Sequence, residues 1–401
     1  MSLPVFQPII YGAHPGTIAG FTTTGGFTVV TPTGAGGATG VGVSDVLAGF
    51  AKAAGNTVTA AIESATVVGD AFTVTDFVQA GHNTVTVGSS RFANAAGDAF
   101  TLSGFAQAGH DVVTANAQDG ALAEGDADTM SGHAQGGYNT VVADNTGAGT
   151  AEAFGDVADT MSGFAQGGHN SVTVTSFFPP LTPAVQVGAY GDALTMTDFV
   201  KGGGNTVSGS VLASPAGAMP LYGDAQTMGG FASGGGNTVK GVAGSSTLMF
   251  GDAQTVQDHA AGGGNTLIGA SSGGQTVAVV TNTMYGDAQQ MLGFASGGNN
   301  TLTAGQGSND TMWGGAATVS PTAHIAANTF IFNQGIGHDV IMDFRSGVDH
   351  IDLQGFGLSS FQQLEQLFNA TANGLDIVFN TSSDILLHGV SQVASGDFVF
   401  S

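Results

Sequence analysis

The chain has 401 residues, and 29 Asp and Glu against five Lys and Arg give it a formal net charge of −24. So acidic a chain lacks the positive surface that nucleic acids or anionic membranes require, and its natural partners are cations. Its 67 glycines and 8% charged residues are unlike an ordinary globular enzyme, whereas 42% hydrophobic residues are too many for a disordered chain. The absence of cysteine excludes disulfides and thiolate metal sites.

Residues 1–43 precede the first complete repeat, and we expect them to form an N-terminal cap or docking segment. The opening MSLPVFQPIIYGAHPG has no basic region followed by a continuous apolar run, so we expect no cleavable secretory signal there. No stretch of the chain approaches the length of an apolar membrane span, and we therefore expect no membrane insertion.

Residues 44–316 are built from a repeat that is marked by a Gly-Asp pair. Successive pairs lie 28 to 36 residues apart. A second marker, usually Asn, follows each aspartate after 13 residues, as from Asp70 to Asn83, and only the step from Asp156 to Asn170 is one residue longer. The return from this marker to the next pair varies from 15 to 22 residues. Each repeat thus has a fixed arm, from the aspartate to the second marker, and an elastic arm, from that marker to the next Gly-Asp pair. Such a repeat is typical of a solenoid, in which each unit packs against its neighbours.

The composition of the repeats favours strands over helices. Gly, Thr, Val and Asn are abundant in every copy, and these residues prefer turns and strands. In one copy the apolar positions Met228, Val239, Leu248 and Val256 indicate three short strands per unit. We therefore predict an all-β parallel β-helix, or β-solenoid, of 28–36-residue Gly-Asp repeats. A triangular solenoid would stack all Gly-Asp turns on one edge, and a two-sided roll would alternate them between two edges; the sequence leaves both open.

Residues 317–401 depart from the repeat pattern, and we expect a β-rich capping module that contains one short helix. The segment SSFQQLEQLF places Phe361, Leu364, Leu367 and Phe368 on one helical face behind a serine cap. This pattern predicts an amphipathic helix that covers the core.

Methionine and histidine recur in register along the repeats. We expect the methionines to be core residues; they are Met130, Met161, Met196, Met228 and Met291. Three histidines precede the second marker at positions where other copies carry Tyr or Gly, which is typical of a turn surface; they are His82, His110 and His169. His133 and His259 replace a recurring Phe, and we expect them to be partly buried.

Two segments carry a resemblance to a known family. GQGSNDTMWGG, residues 305–315, resembles the glycine-rich nonapeptide of repeats-in-toxin proteins, with departures at Gln306 and Ser308. The stretch NTFIFNQGIGHDVIMDFRSGVDHIDLQGFGLSSFQQL and the closing GDFVFS are similar to the C-terminal module of serralysin-type and other type I-secreted proteins. The resemblance implies an uncleaved C-terminal signal that a type I secretion apparatus reads. It also implies a location outside, or on the cell surface of, a Gram-negative bacterium.

The resemblance implies Ca²⁺ as a cofactor. In that family, paired glycine-rich turns hold Ca²⁺ between Asp carboxylates and backbone carbonyls, which suits a hard cation that prefers oxygen ligands. The Gly-Asp turns supply the candidates Asp70, Asp98, Asp126, Asp156, Asp192, Asp224, Asp252 and Asp287. The C-terminal acids supply the candidates Asp310, Asp339, Asp343, Asp349 and Asp352, with Arg345 as the local counter-ion.

The second marker departs from the family pattern, because a neutral Asn stands where relatives carry an acid. Asp111 is the exception, since it keeps a carboxylate at this marker. The alternative to calcium binding is therefore a stack of Asp and Asn turn residues that cap backbone N–H groups. In that arrangement the amides of Asn205, Asn237 and Asn265 form a ladder between turns.

The sequence carries no motif for catalysis. It has no HExxH zinc helix, no GxSxG nucleophile turn and no phosphate-binding loop. The basic residues outside the C-terminal module are scattered; they are Lys52, Arg91, Lys201 and Lys240. We therefore expect a secreted, non-enzymatic structural protein, stabilised by calcium. As a homo-oligomer or filament it would build an extracellular surface layer, a filament or a biofilm matrix.

Two other functions stay open at this stage. One is an adhesin or an ice- or carbohydrate-binding solenoid, with a cell-surface polysaccharide as a possible partner. For ice binding, four threonines would have to lie on one flat face; they are Thr227, Thr238, Thr255 and Thr266. The other is a β-helical enzyme that modifies polysaccharides, which would need a groove with clustered acids and bases.

Overall fold

A computed structural model describes residues 9–12, 15–30, 37–147, 149–177, 188–211, 218–273 and 279–401. The chain divides into two compact units, Met1–Asn205 and Thr206–Ser401. Among the described residues nearly every element is a β-strand, with one short α-helix and one 3-10 turn. No helix in these ranges is both long enough and apolar enough to cross a membrane. The predicted domain boundaries after residues 43 and 316 stay predictions.

The first unit consists of short strands that recur in every repeat. In chain order they are β1 (Ile9–Tyr11), β2 (Thr17–Ile18), β3 (Thr28–Val30), β4 (Gly37–Val41), β5 (Ser44–Leu47), β6 (Thr57–Val68), β7 (Ala71–Val74), β8 (Thr84–Ala96), β9 (Thr101–Leu102), β10 (Val112–Ala117), β11 (Gly120–Glu124), β12 (Ala127–Met130), β13 (Thr140–Asn145), β14 (Thr150–Phe154), β15 (Val157–Met161), β16 (Ser171–Ser176), β17 (Gly188–Tyr190) and β18 (Ala193–Met196).

Three faces follow from the position of each strand in the repeat. The Gly-Asp face holds the strands that follow the Gly-Asp position, which are β2, β5, β7, β9, β12, β15 and β18. The marker face holds the strands that follow the second marker, which are β3, β10, β13, β16 and the first halves of β6 and β8. The return face holds β1, β4, β11, β14, β17 and the second halves of β6 and β8.

Each repeat pairs in parallel with the repeat directly next to it. On the Gly-Asp face Thr101 is in register with Thr73 and with Thr129. On the marker face Val113 is in register with Val85 and with Val141. Equivalent residues of successive copies therefore stack on the same edge, as a single-edge solenoid requires and a two-sided roll forbids. The predicted all-β parallel β-solenoid is confirmed.

The core of the solenoid is a set of stacked apolar columns. Side chains alternate along each strand, so every second residue points inward. On the marker face these are valines with no exposed surface, such as Val85, Val113 and Val141. The recurring methionines are also completely buried, as predicted; they are Met130, Met161, Met196, Met228 and Met291.

Glycine precedes the aspartate because the turns approach each other backbone to backbone. A Cβ atom on Gly125 would lie 1.6 Å from the carbonyl oxygen of Gly155. A Cβ atom on Gly155 would lie 1.7 Å from the carbonyl oxygen of Gly191. No side chain fits at these distances, so the stacking of the Gly-Asp turns itself demands glycine.

The second unit has the same organisation. Its elements are β19 (Thr206–Val211), β20 (Met219–Tyr222), β21 (Ala225–Met228), β22 (Thr238–Gly241), β23 (Thr247–Phe250), β24 (Ala253–Val256), β25 (Thr266–Ile268), β26 (Thr281–Tyr285), β27 (Ala288–Met291), β28 (Thr301–Thr303), β29 (Asn309–Trp313), β30 (Ala316–Val319), β31 (Thr329–Asn333), β32 (His338–Ile341), β33 (His350–Gln354), α1 (Phe361–Glu365), β34 (Phe368–Thr371), β35 (Gly374–Asn380), β36 (Ser383–His388) and β37 (Phe398–Phe400). The 3-10 turn is Ser395–Asp397.

The C-terminal part of this unit replaces parallel stacking by an antiparallel meander. β35 pairs antiparallel with β34 and β36, and β36 continues the return face beside β32. The predicted short helix is present, with the Ser360 hydroxyl accepting a hydrogen bond from the Gln363 N–H and with Leu364 buried. It is shorter than predicted because Phe368 begins β34, opposite Ile377.

The four threonines that ice binding would require on one flat face do not share one. Thr227 and Thr255 pair on the Gly-Asp face. Thr238 and Thr266 pair on the marker face. The two pairs belong to different sheets, so they do not form the single planar array that an ice-binding surface through these residues would need.

Candidate metal centre

The eight Gly-Asp aspartates point into the solenoid, where none of them has exposed surface; they are Asp70, Asp98, Asp126, Asp156, Asp192, Asp224, Asp252 and Asp287. A glycine N–H eleven residues further on, or twelve for Asp156, donates to the carboxylate, at 2.7 Å from Gly81 to Asp70 and 2.8 Å from Gly109 to Asp98. The sequence indicated that these aspartates lie in turns, and the structure shows in addition that their side chains are buried inside the solenoid.

The Asn residues at the second marker form a ladder between successive turns. The backbone N–H of Asn170 donates to Oδ1 of Asn205 at 2.9 Å. In the second unit the N–H of Asn237 donates to Oδ1 of Asn265, and the N–H of Asn265 to Oδ1 of Asn300. The predicted ladder of amides is confirmed in both units. It satisfies backbone N–H groups that are buried away from water.

The amide nitrogens of this ladder also serve the buried carboxylates. Nδ2 of Asn83 donates to Asp98 at 2.9 Å, and Nδ2 of Asn139 donates to Asp126 at 2.8 Å. Each amide thus links the marker column to the Gly-Asp column. A buried carboxylate needs such donors, because burial of an unpaired charge is costly.

Asp111 interrupts this pattern, since a carboxylate has no N–H to donate. Its Oδ1 accepts from the Asn83 backbone N–H at 2.5 Å, while its Oδ2 is buried without a hydrogen-bond partner. One oxygen each of Asp98, Asp111 and Asp126 lies within 4.8 Å of the others, and all three side chains are buried. No other such group of three occurs in the described ranges. This acid cluster can hold a metal ion.

The environment of the acid cluster disfavours three negative charges. Burial raises the pKa of Asp126 to about 7. Burial also raises the pKa of Asp98 well above its usual range, and the neighbouring carboxylates of Asp111, Asp70 and Asp126 raise it further. The pKa of Asp111 is raised mainly by burial as well. The cluster therefore favours bound protons or a bound cation over three free negative charges.

The C-terminal aspartates lie at separate places in the second unit. Asp343 accepts from the N–H groups of Gly314 and Gly315, so it occupies the end of the Gly-Asp column. Asp349 accepts from the N–H of Asn328, at the end of the marker column, and forms an ion pair with Arg345 at 2.7 Å. Both carboxylates thus terminate the internal ladders.

The remaining three C-terminal candidates lie on the return and marker faces. Asp310 accepts from the Gly305 N–H and from Nδ2 of Asn282. Asp339 accepts from the N–H of Asp310, and burial together with the Asp310 charge raises its pKa to about 9. Asp352 accepts from the Ser401 hydroxyl. Calcium binding by the C-terminal set stays a prediction.

Histidines take part in exposed ring stacks. His82 stacks on His110 with ring centroids 4.8 Å apart, which agrees with the predicted turn surface. His133 and His259 are exposed, so the prediction that they are partly buried is wrong. In its own unit, each of them stacks on neighbouring phenylalanines, so that the rings cover each other's faces and leave their edges exposed.

Comparisons with protein-family models, with curated proteins and with solved structures found no match for this chain. The structure agrees with the resemblance to repeats-in-toxin proteins at the level of fold. It is a parallel β-solenoid whose buried aspartates are hydrogen-bonded to Asn and Gly.

Proposed function

We propose that the chain is a secreted, non-enzymatic structural protein whose solenoid associates side by side with further copies, stabilised by Ca²⁺. The product is an extracellular layer, filament or matrix. The observation that carries this proposal is an exposed ring column, here called the aromatic strip. In the first unit it consists of Phe21, Phe50, Phe77, Phe105, His133, Phe164 and Phe199.

The geometry of the aromatic strip is regular. Neighbouring rings are nearly parallel, with centroid separations such as 5.1 Å between Phe50 and Phe77 and 5.0 Å between Phe77 and Phe105. The side chains of the strip are about half exposed, with 51% of the surface of Phe50 and 50% of that of Phe77 accessible to solvent. The second unit repeats the arrangement with Phe231, His259 and Phe294.

A strip of this kind suits a second copy of the same chain. The stacked rings cover each other's faces, so a partner meets a row of ring edges with a fixed spacing. An identical row on another copy has the same spacing, and two such rows can pair through a two-fold axis. A column of glutamines, paired in register by parallel bridges, lies beside the strip; they are Gln79, Gln107, Gln135 and Gln166. Protein interfaces commonly have this composition, with an apolar centre and a polar rim.

Calcium is the cation that the acid cluster fits best. Asp98, Asp111 and Asp126 each bring one carboxylate oxygen to within 4.8 Å of the others, with no nitrogen or sulfur ligand among them. Such a set is preferred by hard cations, and Ca²⁺ takes six to eight oxygens. The buried, unpartnered Oδ2 of Asp111 supports this assignment, because a bound cation gives it a partner. The resemblance to type I-secreted proteins supports export to a calcium-rich exterior.

The non-enzymatic assignment is supported by the use of the two arginines. Arg91 is paired with Glu63 and Asp119, and Arg345 is paired with Asp349. Neither guanidinium is therefore free to act on a substrate in a groove.

We expect the triple variant Phe77→His, Phe105→His and Phe164→His to lose side-by-side association while keeping the fold. Histidine already occupies one position of the stack in each unit, so stacking is kept and only the ring edges become polar. Electron microscopy and sedimentation in Ca²⁺ should show assemblies for the unmodified chain and dispersed particles for the variant. The matched control is Phe92→His, since Phe92 is 49% exposed on another face. Equal assembly of the triple variant, or a dispersed unmodified chain at all concentrations, would overturn the proposal.

A further inference from the structure

A cleft of about 240 Å³ opens on the outer side of the return face in the first unit. Two rows of side chains line it, and each row crosses four parallel strands in register. The first row is Ser64, Phe92, Gly120 and Thr150. The second row is Thr66, Asn94, Leu122 and Glu152. The alanines between the rows point into the core, so the strands themselves form the floor.

The cleft exists because one position of the first row has no side chain. Phe92 is followed in register by Gly120, and a Cβ atom there would lie 3.0 Å from Cδ1 of the Phe92 ring. The ring therefore leans over the glycine and forms one wall. Arg91 lies over the Phe92 ring, with its guanidinium carbon 5.3 Å from the ring centroid. Its charge is paired with those of Glu63 and Asp119.

Two hydrogen-bond acceptors in the second row have no partner. Oδ1 of Asn94 and Oε1 of Glu152 are both buried without a hydrogen bond. They flank Leu122, which places them two strand spacings, or about 9.6 Å, apart along the row. Burial also raises the pKa of Glu152 to about 7. Unpartnered acceptors beside an open cleft indicate a ligand that brings donors.

We propose that this cleft is a saccharide-binding site that takes a hexose unit of a neutral glycan. A hexose offers hydroxyl donors to the side chains of Asn94 and Glu152, both of which line the cleft. Its C–H face packs against the partly exposed ring of Phe92, and Thr66 and Thr150 offer further hydroxyls at the border. The cleft is smaller than the roughly 300–1,000 Å³ of sites for drug-sized ligands, so one sugar residue fills it.

The site also fits the regular build of the solenoid. Its four strands come from consecutive repeats, so the two acceptors and the aromatic wall are held by the parallel ladder rather than by loops. A site on rigid elements needs little reorganisation to bind. The proposal is independent of calcium binding and of side-by-side assembly, because the cleft contains no residue of the acid cluster or the aromatic strip.

Isothermal titration with cellotetraose, maltotetraose and laminaritetraose tests the proposal. We expect saturable binding of at least one of these neutral tetrasaccharides. Gly120→Leu, which fills the cleft and leaves its polar groups in place, should abolish binding. Phe92→Ala and Glu152→Leu should each weaken it by about tenfold or more, whereas Glu152→Gln, which retains an acceptor oxygen, should change it by less than about threefold.

The matched control is Phe105→Ala, because Phe105 is 51% exposed in the aromatic strip and does not line the cleft. It should leave the affinity for the tetrasaccharide unchanged. Thermal unfolding of each variant checks that the fold is intact. The proposal is overturned if none of the three probes binds at millimolar concentration, or if Gly120→Leu binds as tightly as the unmodified chain. In either case assembly through the aromatic strip can still occur, and the two proposals fail separately.

Discussion

Asp111→Asn is expected to stabilise the calcium-free protein at pH 7 and to abolish its stabilisation by calcium. The replacement removes one of three buried carboxylates and restores an amide donor, as in Asn83 and Asn139 of the adjacent turns. Without calcium, Asp111 either carries an uncompensated buried charge or takes up a proton that the unfolded chain has released, and relief of this cost is worth about 3 kcal/mol. In a unit of this size that corresponds to a rise in melting temperature of roughly 6–12 °C. Thermal unfolding in chelator and in Ca²⁺ measures both effects.

The reverse substitution in the next turn is the matched control. Asn139→Asp adds a carboxylate beside Asp126 and removes the donor that now serves it. We expect this variant to melt at a lower temperature in chelator and to gain most from added Ca²⁺. A ligand that binds only the folded state adds about 2.7 kcal/mol at a hundredfold excess over its Kd. A calcium response that survives in Asp111→Asn would place the responsible ion elsewhere in the chain.

In chelator, the stability of the protein is expected to fall as the pH rises from about 4 to neutrality. The pKa of Asp252 is raised by burial from 3.8 to about 7, even though Gly263, Asn265, Asp224 and Asp287 provide hydrogen bonds that lower it. Between these two pH values the folded state holds a proton that the unfolded chain has released. Raising the pH therefore favours unfolding across this window, and the loss from such a group is on the order of 4 kcal/mol.

Asp339 extends the same effect to higher pH, because its pKa is raised to about 9. Acid-induced unfolding of most proteins has the opposite sign, since their surface carboxylates are stabilised in the charged form. Melting temperatures in chelator from pH 4 to pH 9 test this expectation, with Asp252→Asn as the variant that should make the curve less steep. A melting temperature that is constant or rises between pH 4 and pH 7 would contradict it.

The sequence predicts the fold well because the constant spacing between the two markers fixes the length of one part of every solenoid turn. Thirteen residues from Asp70 to Asn83 recur in almost every copy, and this arm forms the fixed part of each turn. The elastic arm joins the marker face to the return face, as between β13 and β14. Even the Asn ladder follows from the pattern, since equivalent residues of a solenoid must lie next to each other.

The sequence predicts the candidate site less completely, because it does not state which way a turn side chain points. Asp98 and Asp126 were identified as candidates, but their burial and their meeting with Asp111 depend on the register between turns. The wrong prediction for His133 has the same reason, because a recurring Phe is compatible both with a core position and with an exposed stack. The cleft at Phe92 was missed, because Gly120 and Glu152 are ordinary residues until the strands place them side by side.

The strict register of the columns has a genetic consequence. Because the Asn, Asp and aromatic residues of one repeat meet the same columns in each adjacent repeat, an unequal crossover that inserts or removes one whole copy leaves every ladder continuous. Changes of length in the elastic arm are absorbed where the marker face joins the return face. Alleles that encode longer or shorter solenoids are therefore reachable in single recombination events. The thirteen-residue arm itself tolerates the one extra residue between Asp156 and Asn170, because a bulge in β15 absorbs it.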